Sequence, residues 1–349
     1  MIAQASRVRG PDATNPRLVY KTAHGEQRVG DSLSLLAKLP AASVDLILTS
    51  PPFALLRNKT YGNKPQAEYV EWLTQFGKAA KRVLKPSGSF VVELGGAYQR
   101  GRPVRSIYNY RVLVEFCDAL EYRLAEEFFW YNPAKLPSPI EWVNKRKIRV
   151  KDSVSPIWWF TVTDQPKADV RRVLVKYSAS MKELLGDPDG YYKPKTRPSE
   201  HHVGKAFAKD NGGAIPSNLL QFPNTESTSR YLRACKLLAQ DPHPARFPPA
   251  LPRFFIRFLT EPGDLVVDIF SGSNVTGRVA EEEGRRWLSC EVDPGHARLS
   301  SVRFMDGWPD EKVRAAWLRL ADGRSVTIAP VSSPAPESSQ ASEGGVASA

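Results

Sequence analysis

Between Leu265 and Pro294 the chain reads LVVDIFSGSNVTGRVAEEEGRRWLSCEVDP: a strand, a loop of small residues, a helix, and a second strand ending on an acid. Two parallel strands cannot be joined by a tight turn, so a strand–helix–strand run commits a chain to a parallel sheet flanked by helices. The same grammar recurs upstream. Val44–Leu48 is a short, largely apolar strand, and Tyr69, Trp72, Leu73, Phe76, Ala80, Val83 and Leu84 follow at helical spacing. Lys85-Pro86-Ser87-Gly88 breaks that helix. Ser89–Leu94 is a second strand, a helix spans Val112–Leu120, and Ala125–Tyr131 is a third strand. From Asn132 to about Gln240 the pattern is lost in Pro, Lys, Arg, Gly and Asn, with short apolar runs such as Ile157–Val162. It resumes at Leu251, Phe254, Phe255, Phe258 and Leu259. The expected fold class is α/β with a mostly parallel sheet and one inserted, loop-rich region.

The expected divisions are a polar arm over 1–16, sheet halves over 17–132 and 241–331, the insertion over 133–240, and a disordered tail over 332–349. The tail's Ser, Ala, Pro, Glu and Gly cannot bury enough apolar surface to offset chain entropy. Cys117, Cys235 and Cys290 form no CxxC pair, which speaks against a zinc site or a disulfide framework. The first residues lack the apolar core of a signal peptide, and no apolar stretch approaches a membrane span. A soluble, cytoplasmic protein is expected. Its net charge of +12 favours a polyanionic partner.

In the strand–helix–strand unit, Gly272 lets the backbone approach a ligand. Ser273, Asn274 and Thr276 offer polar groups at a helix N-terminus, which favours a negative ligand group. Glu291 ends the next strand, where a carboxylate accepts hydrogen bonds from ribose hydroxyls. These residues suit a nucleoside ligand, and an ordinary strand–helix–strand turn with no ligand is the alternative. The loop lacks GxGxxG, so NAD is the weaker candidate. S-adenosyl-L-methionine has a ribose, an adenine for apolar neighbours such as Phe270 and Val292, a carboxylate for the helix N-terminus, and no phosphates. Asp268, at the end of the first strand, joins the candidate set.

Thr49-Ser50-Pro51-Pro52-Phe53 ends the Val44 strand with a hydroxyl, two residues that cannot donate a backbone hydrogen bond, and a ring. With DIFSGSN and the HPARFP segment at His243–Pro248, it resembles the DNA amino-methyltransferases of bacterial restriction–modification systems. The resemblance runs from about Arg28 to Met305, with the motif order permuted as in the family's β group. It implies a Rossmann-like, S-adenosylmethionine-dependent methyltransferase fold. The serine form of the motif implies transfer to cytosine N4. Ser50 Oγ and the Pro51 carbonyl would hold the amino hydrogens, Pro52 would stiffen the turn, and Phe53 would stack on a base flipped out of the duplex. Glu93 would relay a proton from Ser50. Asp31 matches the acid the family places near the adenine, and a helix N-cap is the alternative for it. Trp130 and Tyr131 lie where an aromatic beside the target base belongs. No cysteine follows a proline, which excludes cytosine-C5 chemistry.

Double-stranded DNA is the expected partner. Lys145, Arg146, Lys147, Arg149 and Lys151 form a basic run inside the insertion, and Lys195, Arg197, His201 and Lys205 extend it. His201-His202 without further ligands makes a poor metal site, and no metal is expected. The family implies a short palindromic site, with CAGCTG the first to try. A monomer suffices, since a palindrome can be methylated in two visits, and a separate cognate endonuclease would complete the system. The rival readings are an adenine-N6 enzyme, an RNA or protein-glutamine methyltransferase, and a non-catalytic DNA-binding protein.

Overall fold

All six residues of β3 (Val44–Thr49) are buried, and the sheet built around them explains why. The computed structural model describes residues 15–54, 66–187, 209–225 and 229–329. Most of the expected arm and all of the expected tail lie outside the described residues. Among those described, ten strands form one sheet: β1 (Arg17–Lys21), β2 (Gly25–Val29), β3, β4 (Leu84–Glu93), β5 (Arg123–Tyr131), β6 (Val154–Thr161), β7 (Leu219–Gln221), β8 (Leu265–Asp268), β9 (Arg286–Glu291) and β10 (Val326–Thr327). Their order is β10-β1-β2-β9-β8-β3-β4-β6-β5-β7. The central run β2-β9-β8-β3-β4 is parallel throughout.

Neighbouring residues of the central strands face opposite layers. Leu46, Leu48, Val91, Val266 and Trp287 belong to one core. Ile47, Phe90, Val92, Val267 and Leu288 belong to the other. A strand covered on both faces needs apolar residues at consecutive positions, and that is why these strands read as runs rather than alternations. The helices over 275–282, 250–259 and 310–321 cover the first face through Val275, Val279, Leu251, Phe255, Val313 and Leu320. The helices over 66–83 and 108–118 cover the second through Tyr69, Leu73, Phe76, Val112 and Phe116.

Two expectations change. Lys85–Gly88 does break the pattern, but inside β4 rather than before it. Leu84 pairs with Val44 and Ser89 with Leu46, so the four residues between bulge out. Gly88 is required there, because a Cβ would lie 2.9 Å from the Val44 carbonyl oxygen. The second change concerns the insertion. Residues 133–240 are not wholly separate from the sheet: β6 lies between β4 and β5 and is antiparallel to both. Its Ile157, Trp158, Trp159 and Phe160 enter the two cores. The Ile157–Val162 run thus supplies most of a central strand, and β7 adds an edge from the same region.

From β3 the chain crosses through the 66–83 helix to β4. From the adjacent β8 it crosses through the 275–282 helix, on the opposite face, to β9. The winding reverses between β3 and β8. In open parallel sheets a crevice opens at the carboxyl ends of the strands at such a reversal.

Candidate active site

Four strand ends meet at this crevice. Thr49 Oγ1, ending β3, donates to Asp268 Oδ1 of β8 at 2.7 Å, and the Phe270 amide donates to the same oxygen at 3.1 Å. Burial pushes the Asp268 carboxyl up to about 6. Ser50 Oγ donates to Glu93 Oε2, ending β4, at 2.7 Å. Burial raises the Glu93 carboxyl above its ordinary range, while Ser50, Ser155 and the charge of Lys135 pull the other way. Tyr69 Oη donates to the Pro52 carbonyl at 2.8 Å. The Pro51 carbonyl, by contrast, accepts no hydrogen bond among the described residues. Phe53 lies against the chain at Gly95, where a Cβ would sit 2.5 Å from the ring.

On the β8–β9 side, Glu291 is held by two backbone amides: Gly272 N–H donates to Oε2 at 2.7 Å and Asp293 N–H to Oε1 at 2.9 Å. Burial pushes this carboxyl up to about 7. Gly272 has φ +50°, and the His243 ring lies 3.0 Å from where a Cβ would be. A side chain there would be both strained and crowded. Ser273 is held by Arg303, which donates to its Oγ at 3.0 Å. Phe270 packs its ring on Trp72 and Phe76. Thr276 Oγ1 is buried at the start of the 275–282 helix, beside the Asp268 carboxyl, which its hydroxyl helps to hold down.

These groups line one cavity of about 310 Å³. One end is built by Ser50, Pro51, Pro52, Phe53, Glu93 and Trp130. The other is built by Asp268, Phe270, Gly272, Ser273, Thr276 and Glu291. The volume falls at the lower end of the range for small-molecule pockets.

Three candidates, Asn274, Asp31 and Tyr131, do not line the cavity. Asn274 is fully buried and does not line the cavity. Its Oδ1 caps the helix by accepting from Gly277 N–H at 3.0 Å and also accepts from Ser289 Oγ at 2.8 Å, while Nδ2 donates to Tyr20 Oη at 3.0 Å. It adopts φ +55°, which Asn tolerates better than most residues. Asn274→Ala is therefore expected to destabilise the fold by about 2–4 kcal/mol, through a lost cap and the loss of a partner for two buried hydroxyls. Equilibrium urea unfolding checks this, and an unchanged midpoint contradicts it. Asp31 likewise stays outside the cavity lining, and its Oδ2 caps the 32–38 helix by accepting from Ser34 N–H at 2.8 Å.

The model of a DNA methylase family that acts on N6 or N4 amines matches residues 44–302, most of the chain. The chain belongs to this family. The type II methyltransferase M.PvuII of Proteus hauseri is 56% identical over 310 residues, covering 88% of this chain and 92% of that protein. The DNA adenine methyltransferase YhdJ of Escherichia coli K12 is 25% identical over 281 residues, covering 79% and 81%. Among solved structures, the PvuII DNA methyltransferase (cytosine-N4-specific) superposes with a TM-score of 0.74 at 48% identity, covering 89% of this chain and 98% of that one.

Elsewhere in this DNA methylase, the basic run lies on a turn of helix over 141–145 and the loop after it, largely exposed. Lys145 pairs with Glu141 at 3.5 Å, and the Arg146 guanidinium lies 5.2 Å from the Trp142 ring centre. Arg149 Nη2 donates to the Pro103 carbonyl at 2.6 Å and Lys151 Nζ to the Pro133 carbonyl at 3.1 Å. Arg149 and Lys151 are thus tied to the neighbouring chain. Lys147 stands at φ +53°. Lys195, Arg197, His201 and Lys205 lie outside the described residues. Sequence reasoning gave no role to Asn132, Lys135, Ser153, Ser155, Asn224 or Arg246, all of which line the cavity. His243 lines it too, from the HPARFP segment. Burial pushes its imidazole down to about 4, so it is neutral at pH 7.

Proposed function

We propose that this DNA methylase transfers the methyl group of S-adenosyl-L-methionine directly to the exocyclic N4 of a cytosine flipped out of a short palindromic duplex site. The observation that carries the reading is the pairing of Ser50 with Glu93 beside a Pro51 carbonyl that accepts nothing among the described residues, at one end of a cavity whose other end is the Gly272–Glu291 loop.

The residues fit the cofactor. Glu291 presents a carboxylate already oriented by two amides, for ribose hydroxyls. Phe270 offers an aromatic face for adenine, and the buried Thr276 Oγ1 stands at a helix N-terminus for the methionyl carboxylate. S-adenosyl-L-methionine supplies a methyl group made electrophilic by its sulfonium.

The remaining chemistry belongs to the chain. The cytosine N4 lone pair is delocalised into the ring and is a poor nucleophile. Ser50 Oγ gives its own proton to Glu93, so its lone pairs face the amine. The Pro51 carbonyl accepts the second amino hydrogen, and Pro51-Pro52 fixes its direction in advance. Held this way, N4 pyramidalises and its lone pair takes the methyl carbon, while the C–S bonding pair stays on sulfur. The extra proton then leaves N4 for Ser50 as Ser50 passes its own to Glu93. A desolvated carboxylate is a better proton acceptor than an exposed one. Phe53 stacks on the extruded base.

We take the site to be CAGCTG, the palindrome that the resemblance to M.PvuII suggests. The enzyme would work as a monomer in the bacterial cytoplasm on nucleoid DNA, modifying it against a separate cognate endonuclease. The test is transfer of a tritiated methyl group to duplexes carrying CAGCTG or its single-base variants. Transfer confined to CAGCTG supports the assignment, and equal transfer to the variants contradicts it. Neutralising Lys145, Arg146 and Lys147 together should weaken binding to all duplexes and lower the salt slope by about one for each phosphate no longer neutralised. Filter binding from low to moderate salt measures this, and an unchanged slope places the phosphate-binding face elsewhere.

A further inference from the structure

Asn132 follows β5 and lines the same cavity as Ser50 and Glu93. Its backbone is pinned, with its N–H donating to the Ser153 carbonyl at 2.9 Å. Its side-chain oxygen is pinned as well, accepting from Ala134 N–H at 3.1 Å and from Asn224 N–H at 3.2 Å. Two backbone donors on one oxygen fix which way an amide points, because its NH₂ could accept neither. The group left for an occupant is Nδ2, which makes no hydrogen bond among the described residues.

The neighbouring amide and indole donors are engaged. Asn224 Nδ2 donates to the Arg246 carbonyl at 2.8 Å, and Trp130 Nε1 to the Phe222 carbonyl at 2.8 Å. Beside the rotatable hydroxyls of Ser153 and Ser155, the cavity therefore holds acceptors for an exocyclic amine and one oriented amide donor with no partner among the described residues. The pairing edge of cytosine presents an amine, then a ring nitrogen acceptor, then a carbonyl acceptor. That of adenine presents an amine, a ring nitrogen acceptor, then a C–H. A donor across from the third position is satisfied by cytosine and left desolvated and unpaired by adenine.

We propose that Asn132 is a base-selectivity residue, donating from Nδ2 to the O2 carbonyl of the flipped cytosine. The inference rests on the cytosine-N4 reading above and names the contact that separates cytosine from adenine. Leaving a buried donor unpaired is the kind of penalty that discriminates well between substrates.

The test is a two-by-two comparison with the full-length protein and duplexes carrying the site. One duplex holds the target cytosine. The other holds a 2-aminopyridine C-nucleoside in its place, which keeps the amine and ring nitrogen and has C–H where cytosine has the carbonyl. The variant is Asn132→Asp, which keeps an oxygen for the Ala134 and Asn224 amides and puts a charged acceptor where the Nδ2 donor stood. Wild-type kcat/KM should fall about ten- to a hundredfold from cytosine to the analogue. Asn132→Asp should lose a similar factor on cytosine and nothing further on the analogue, with cofactor affinity unchanged. Equal losses by the variant on both duplexes, or no loss on cytosine, overturn the Asn132 contact. Wild-type methyl transfer to adenine instead of cytosine would overturn the function proposed above, and it is read separately from the labelled nucleoside.

Discussion

Ser50→Ala should lower turnover by about 10²–10⁴-fold while the dissociation constant for S-adenosyl-L-methionine stays within about twofold of wild type. The separation follows from the geometry. Ser50 sits at the β3 end of the cavity with its hydroxyl on Glu93, and the Gly272–Glu291 loop lies at the other end. Removing the hydroxyl takes away one of two acceptors for the amine and cuts the route from N4 to Glu93. It removes nothing that faces the cofactor. Single-turnover methyl transfer and calorimetric titration measure the two quantities, and parallel losses in both would contradict the division of the cavity.

Glu291→Ala should give the converse result: cofactor affinity lower by about 10²–10³-fold, with duplex binding retained. A carboxylate hydrogen bond contributes about 1.5–3 kcal/mol, and this one also orients Gly272 through its amide. The same residue sets a pH dependence. Its carboxyl is pushed up to about 7, and that of Asp268 to about 6, both by burial. A raised carboxyl favours folding fully below the ordinary carboxylate range, and that contribution is lost as pH rises through the folded-state value. The cofactor-free protein should therefore lose stability from these two groups between about pH 4 and 7. Cofactor binding should strengthen over the upper part of that window, because the ionised Glu291 is the better acceptor for ribose hydroxyls. Thermal unfolding without cofactor and titrations across the same window would show the opposite slopes. A cofactor affinity that stays flat as Glu291 ionises would contradict its ribose role.

The two motifs on the central strands were legible because each is local. A strand that stops at Ser50-Pro51-Pro52 and a loop that opens at Gly272 both place their side chains at a carboxyl edge whatever the rest of the chain does. β6 was not legible. Its partners, β4 and β5, are fixed by tertiary packing, and a proline near the start, Pro156, is a residue central strands rarely hold. The inward orientation of Asn274 is not legible in the sequence, because a polar residue in a small-residue loop carries no sign of which way it faces. Only the distant Tyr20 and Ser289 turn it inward. Asn132, Lys135 and Asn224 come from loops that converge only when β6 closes beside β5, and no spacing in the sequence announces that meeting.

The central claim is that the Ser50 end of the cavity activates a cytosine amine. Incubating the protein with unmethylated plasmid and tritiated S-adenosyl-L-methionine, digesting the DNA to nucleosides and identifying the labelled one tests it most directly. Label in N4-methylcytosine is the predicted result. Label in N6-methyladenine would contradict it, leaving the fold and the Gly272–Glu291 loop in place while assigning the Ser50 pocket to the wrong base.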